Sequence, residues 1–106
     1  MRPITIQLAA AGSSPAHKVD WEQENFNIGV QAIGPAGGVA VEGTCDDPDG
    51  GSPVWTAFDA SSGASRDLSA VVAATVLANI RTPVRAVRIT QTGAGASIVR
   101  FVQASK

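Results

Sequence analysis

Apolar and polar residues alternate with period two over most of the chain. Ile4, Ile6 and Leu8 are separated by Thr5 and Gln7. This is the spacing of a strand that buries one face, because successive side chains of an extended backbone point to opposite sides. Residues 11–15 are small and turn-forming, so they read as a loop. Residues 16–21 then extend again, with Val19 and Trp21 on one face. Phe26, Ile28 and Val30 repeat the alternation around Asn27 and Gly29. Gly34-Pro35-Ala36-Gly37-Gly38 combines proline with three glycines and is a turn. Val39, Val41 and Gly43 resume the pattern, so residues 27–33 and 39–45 are expected to pair as an antiparallel hairpin.

Residues 46–53 form a second loop, residues 54–58 a short strand carrying Trp55, and residues 60–67 a Ser/Gly-rich surface excursion. Residues 68–80 are two-sided. Leu68, Val71, Val72 and Val76 sit at helical spacing among alanines, whereas the β-branched residues and the surrounding chain favour extended structure. The expectation is a loop leading into a strand near residues 74–80, with a short helix as the alternative. Pro83 opens a strand over residues 84–90, Thr92-Gly93-Ala94-Gly95 turns, and residues 97–103 return as a final hairpin. Short strands punctuated about every ten residues by Gly/Pro turns predict an all-β fold, either an antiparallel β-sandwich or a jelly-roll-like small barrel. At 106 residues the chain is expected to be one domain spanning residues 1–106.

Composition narrows the function classes. Hydrophobic residues make up 44% and charged residues 16%, which is globular rather than disordered. Eight basic residues against nine acidic ones form no basic cluster, so neither nucleic acid nor an anionic membrane is an expected partner. Met1-Arg2 followed by Ile4, Ile6 and Leu8 faintly resembles a leader. However, Thr5 and Gln7 interrupt the apolar stretch, and an alternating strand is the better reading. No run approaches the roughly 20 apolar residues of a membrane span, so the chain reads as soluble. Small residues dominate and aromatics are few, so the core gains from further burial in an oligomer. Cys45 is the single cysteine and reads as a buried thiol suited to a reducing compartment.

The segments Val19-Asp20-Trp21, Phe26-Asn27-Ile28-Gly29-Val30, Val41-Glu42-Gly43-Thr44-Cys45-Asp46-Asp47-Pro48, Val54-Trp55 and Pro83-Val84-Arg85-Ala86-Val87-Arg88-Ile89 occur in that order, ahead of a Gly-containing hairpin ending near Gln103. In order and spacing they resemble a group of small virion structural proteins of tailed bacteriophages. The resemblance spans nearly the whole chain and departs only over residues 60–80. It implies a virion component, assembled in the host cytoplasm, that decorates or cements the capsid shell. Its implied partners are other virion proteins, the major capsid protein first, together with further copies of itself as a dimer or trimer. A tail, neck or fibre-anchoring station and a host-glycan-binding module are the alternatives.

No residue set points to catalysis or to a cofactor. His17 lies near Ser13, Ser14 and Asp20, but no Gly-x-Ser-x-Gly elbow is present to hold a nucleophile on a strained turn. Asp46, Asp47 and Asp49 are oxygen ligands of the kind a hard cation takes. They are also standard turn formers and lack EF-hand spacing, so a turn is expected and a Ca²⁺ site is the alternative. The glycines of residues 34–38 precede no helix and no Lys-Ser/Thr, which argues against a phosphate loop.

The candidate partner surface is the final hairpin. With Val87, Ile89, Val99 and Phe101 facing inward, Arg88, Ile98, Arg100 and Val102 are expected on one outer face. They are either solvated or a partner contact in which arginines pair with carboxylates. Trp21 and Trp55 are expected as core rings, with exposed stacking platforms as the alternative.

Overall fold

The alternating segments pair into two antiparallel sheets that face each other across their apolar sides. A computed structural model describes residues 3–21 and 26–103; Met1-Arg2, the start of the leader-like stretch, lies outside them. Its strands are β1 (Ile4–Leu8), β2 (Gly12–Ser13), β3 (His17–Lys18), β4 (Ile28–Ile33), β5 (Val39–Thr44), β6 (Thr56–Ala57), β7 (Thr75–Ile80), β8 (Ala86–Gln91) and β9 (Ser97–Gln103). The first sheet has the order β1-β9-β4-β7. The second has β8 and β5 at its centre, β6 beyond β5, and both β2 and β3 on the far side of β8.

β2 and β3 are two halves of one interrupted strand. Gly12 pairs with Gln91 and His17 with Val87, so one extra residue is accommodated between them, at a bulge containing Pro15. Ser14 sits in the bulge and ties it down: its N–H donates to Ile89 O at 2.8 Å and its Oγ accepts from Ile89 N at 2.9 Å. With β2 and β3 taken together, every strand-to-strand connection except β5–β6 crosses from one sheet to the other. That topology is a jelly roll, so the all-β sandwich expectation holds in its jelly-roll form.

Both expected hairpins are corrected. β4 pairs with β7 and β9, while β5 pairs with β6 and β8; β8 and β9 likewise belong to different sheets. The two glycine-rich connections are therefore corners between sheets, and they pack on each other. Thr92 N donates to Gly38 O at 3.1 Å and Thr92 Oγ1 donates to Gly37 O. A Cβ built on Gly37 would lie 2.2 Å from the Cα of Gly93. The chain can cross here because neither residue carries a side chain.

The core is lined by the inward parity of each strand: Ile28 and Val30 on β4, Val39 and Val41 on β5, Val87 and Ile89 on β8, Val99 and Phe101 on β9. Gln91 is also buried. Its Oε1 accepts from Ser97 Oγ at 2.6 Å, and its Nε2 donates to Gly93 O at 2.7 Å and to Gly95 O, which fixes the β8–β9 corner. Residues 68–74 are an irregular extended segment leading into β7, as expected. Leu68 and Val71 are buried and bonded to β5 through Val41 N→Leu68 O and the reciprocal Val39–Val71 pair, so their helical spacing arises without a helix. The tryptophans do not enter the core. Phe26, Phe58 and Phe101 occupy it, Trp21 is 49% exposed, and Trp55 is half-buried beneath Arg88. Cys45 is exposed rather than buried.

Candidate functional site

The outer face of the first sheet mixes polar residues with four large apolar ones, two of them among the exposed large hydrophobic residues of the molecule. Register places its residues in three rows across the strands. Thr75, Ile33, Ile98 and Gln7 form one row. Leu77, Gln31, Arg100 and Thr5 form the next. Asn79, Gly29 and Val102 form the third. Leu77 is 73% exposed and Val102 50%, whereas Ile33 and Ile98 on the same face are partly buried. Arg100, which is exposed, lies between Ile98 and Val102 along its own strand and between Gln31 and Thr5 across the sheet, with Ile33 diagonal to it and Leu77 beyond Gln31. The ion pairs among the described residues are Lys18–Asp49 and Arg88–Glu42, so Arg100 has no carboxylate partner there. An exposed arginine with apolar side chains on the same sheet face can bury hydrophobic area against a partner and offer a bidentate fork to a carboxylate.

Ile98, Arg100 and Val102 thus lie together, as the sequence expectation placed them. Arg88 does not join them: it lies on the outer face of the second sheet, because β8 and β9 are in different sheets. There it stands directly opposite Glu42 on β5. Its Nε donates to Glu42 Oε1 at 2.7 Å, Thr90 Oγ1 donates to the same oxygen at 2.8 Å, and Ser13 Oγ bonds Thr90 Oγ1 at 2.9 Å. The guanidinium also lies 4.5 Å from the centroid of the Trp55 ring. A partly buried, hydrogen-bonded and stacked arginine is committed within its own subunit. Sequence parity found Ile98, Arg100 and Val102 but missed Ile33 and Leu77. Both carry a legible signal, since each is an apolar residue on the parity opposite to its strand's core set.

The other candidate groups are dispersed. His17 is half-buried on β3, and the nearby hydroxyls are engaged elsewhere, Ser13 with Thr90 and Ser14 with Ile89 N and Pro15 O. In the acidic loop Asp46 Oδ2 accepts from Val54 N at 2.7 Å and Asp47 Oδ1 accepts from Asp49 N at 3.0 Å. Asp49 pairs with Lys18, whose ammonium it holds above the usual lysine value by hydrogen bond and charge. No metal-holding group of three or more His, Cys, Asp or Glu side chains is found among the described residues. These contacts are the turn chemistry that the sequence favoured.

Cys45 lines a groove of about 320 Å³ with Val54, Phe58 and Val84. Trp21 lies under Arg85, 5.6 Å from ring centroid to guanidinium carbon, beside a hollow of about 160 Å³ bordered by Lys18, Asp47 and Pro48. Among the described residues no helix is long and apolar enough to cross a membrane.

No family model matches the chain, and no curated protein does. Two solved structures are similar to it. One is a protein of the Bacillus endospore appendages, described as a novel family of disulfide-linked pili. It is 11% identical, with 98% of this chain and 87% of that chain covered at a TM-score of 0.51. The other is a de novo designed double-stranded β-helix solved by solution NMR. It is 11% identical, with 98% of this chain and 100% of that chain covered at a TM-score of 0.48. At such identity the pilus likeness bears on the fold alone.

Proposed function

We propose that this chain is a non-enzymatic structural protein of a tailed-phage virion, and that it attaches to the capsid shell through the outer face of its first sheet. The observation that carries this reading is the presence of Ile33, Leu77, Ile98 and Val102 on the same outer face as Arg100, which has no carboxylate partner among the described residues. The partner it fits is a protein surface with apolar side chains and a carboxylate, and the virion setting comes from the resemblance in motif order. Four strands and three rows span about 15 Å by 14 Å at ordinary sheet spacings. That is well below the roughly 800 Å² per partner of a stable pairwise complex. Attachment through so small a face is weak per contact and becomes effective when many copies meet a repeating lattice.

Sedimentation of the purified chain with phage heads tests the reading. Decoration predicts saturable binding at hundreds of copies per particle. A few copies confined to the portal or tail would move the protein to another virion station. No binding to any particle would remove the virion role.

One observation favours a second reading, a host-glycan-binding module: the half-exposed Trp21 ring beside Arg85, Lys18 and Asp47 offers a stacking face with polar groups at its rim. On that reading, saturating glycan shifts the tryptophan emission of the wild type and leaves Trp21→Ala unchanged. An emission spectrum indifferent to a broad glycan panel would eliminate it.

A further inference from the structure

Four strand edges border the two sheets, and three of them carry devices that discourage pairing with another chain. The β2–β3 edge is broken by the bulge at Pro15 and carries Lys18. The β6 edge is only two residues long. The β7 edge is covered in its second half: Ser65 N donates to Asn79 O at 2.9 Å, Asn79 N to Ser65 Oγ at 3.0 Å, and Arg81 N to Gly63 O at 2.9 Å. Short strands, bulges, lysines, prolines and covering loops are the usual means of blunting an edge.

β1 has none of these. It runs for five residues as Ile-Thr-Ile-Gln-Leu, without charge, glycine or proline, and Pro3 only borders it. It pairs with β9 on one side, and among the described residues nothing pairs with the other. Its inward side chains are also incompletely covered. Ile6 is buried, whereas Ile4 and Leu8, at the two ends of this edge strand, pack against the core yet remain partly exposed.

We infer that β1 pairs antiparallel with β1 of a second copy about a two-fold axis at Ile6, joining the two first sheets into one continuous sheet. The occupant follows from the strand's own symmetry. With Ile6 opposite Ile6, Ile4 meets Leu8 and Thr5 meets Gln7, so apolar residues face apolar ones on the core side and polar residues face polar ones outside. An isologous contact of this kind closes at two copies. It adds apolar cover beside the partly exposed Ile4 and Leu8, and it satisfies the free backbone groups of the edge. Arg100 lies opposite Thr5 on β9, so in the pair it shares a row with the partner's Ile98 and not with the partner's Arg100. The pair also presents two copies of the Arg100 face on one surface. The inference does not depend on the shell role, because mass and particle binding are separate readouts.

Light scattering on the full chain over about 1 µM to 1 mM, the range of weak to moderate complexes, is expected to rise from one chain mass to two. Thr5 and Gln7 are both exposed, so charging them leaves the core intact. Thr5→Lys/Gln7→Lys places lysine opposite lysine twice, and Thr5→Glu/Gln7→Glu places glutamate opposite glutamate. Each variant alone should remain at one chain mass, with near-ultraviolet circular dichroism reporting that it is folded. Their equimolar mixture should return to two chain masses, since every like pair becomes an opposite pair. A wild type that stays monomeric at 1 mM overturns the inference. So do charge variants that dimerise as the wild type does, an assembly of three or more, or folded variants whose mixture stays monomeric.

Discussion

Phe101→Ala is expected to lower stability by about 3–5 kcal/mol, the usual range for removing a fully buried aromatic ring. Phe101 is fully buried on β9, directly between Ile4 of β1 and Val30 of β4. Its ring fills the middle of the first sheet's inner face, where no neighbour can swing in from outside. A domain of this size holds about 5–15 kcal/mol in all, so the loss is roughly a fifth of the total or more. The melting temperature should fall by on the order of 15 °C or more. Val102 is the next residue along the strand and points to the opposite side, 50% exposed. Its alanine variant should stay within about 0.5 kcal/mol of wild type. Urea unfolding of the two variants side by side reads the parity of β9, and comparable losses would mean that the strand faces are assigned wrongly.

Gly37→Ala is the second large effect, and it tests the crossing of the two corners. Its new Cβ would lie 2.2 Å from the Cα of Gly93, and the reciprocal change at Gly93 would meet the Cα of Gly37 at 2.3 Å. Both contacts are to backbone, which cannot yield as the end of a flexible side chain does. The corners must separate, drawing Thr92 away from Gly37 O and Gly38 O and disturbing the Gln91 bonds that hold the β8–β9 connection. Overpacking of this kind costs about 1–3 kcal/mol, and the backbone contact puts either variant at the upper end. Gly51→Ala is the control: nothing lies within 4 Å of its Cβ position, so thermal unfolding should barely change. If Gly37→Ala were as mild as Gly51→Ala, the two corners would not pack as described.

Strand existence and facing were legible because period two is a local property. Ile4/Ile6/Leu8, Ile28/Val30, Val39/Val41, Val87/Ile89 and Val99/Phe101 each announce an inner face without reference to anything distant. Pairing was not legible. A Gly/Pro turn states that the chain reverses, but whether the returning strand lies beside the one just left or in the facing sheet depends on partners far away in sequence. β4 is bounded by β7 and β9, and β8 by β5 and by β2–β3, so residues 34–38 and 92–96 became corners.

The same gap hid the fate of Arg88. Its outward parity was readable, whereas Glu42 opposite it was not, and that carboxylate with the Trp55 ring occupies the guanidinium. The tryptophans were misplaced for a related reason. Bulk alone predicts burial, but the interior is filled by three phenylalanines with valines, isoleucines and Leu68. Each indole lies instead against an arginine at the surface. Ile98, Arg100 and Val102 were found by parity alone, while Ile33 and Leu77 joined them only once β4 and β7 were paired.

The most direct test of the account compares head binding by the wild type, Arg100→Glu and Arg88→Gln in one sedimentation series, with each protein first checked for folding. Arg100→Glu should bind at least tenfold more weakly, since it replaces the cation of this face, which has no carboxylate partner among the described residues, with the charge of its intended partner. Arg88→Gln should bind as the wild type does, because Arg88 is already engaged by Glu42 and Trp55 on the opposite side. Full binding by Arg100→Glu with loss in Arg88→Gln would contradict the account and move the attachment surface to the second sheet.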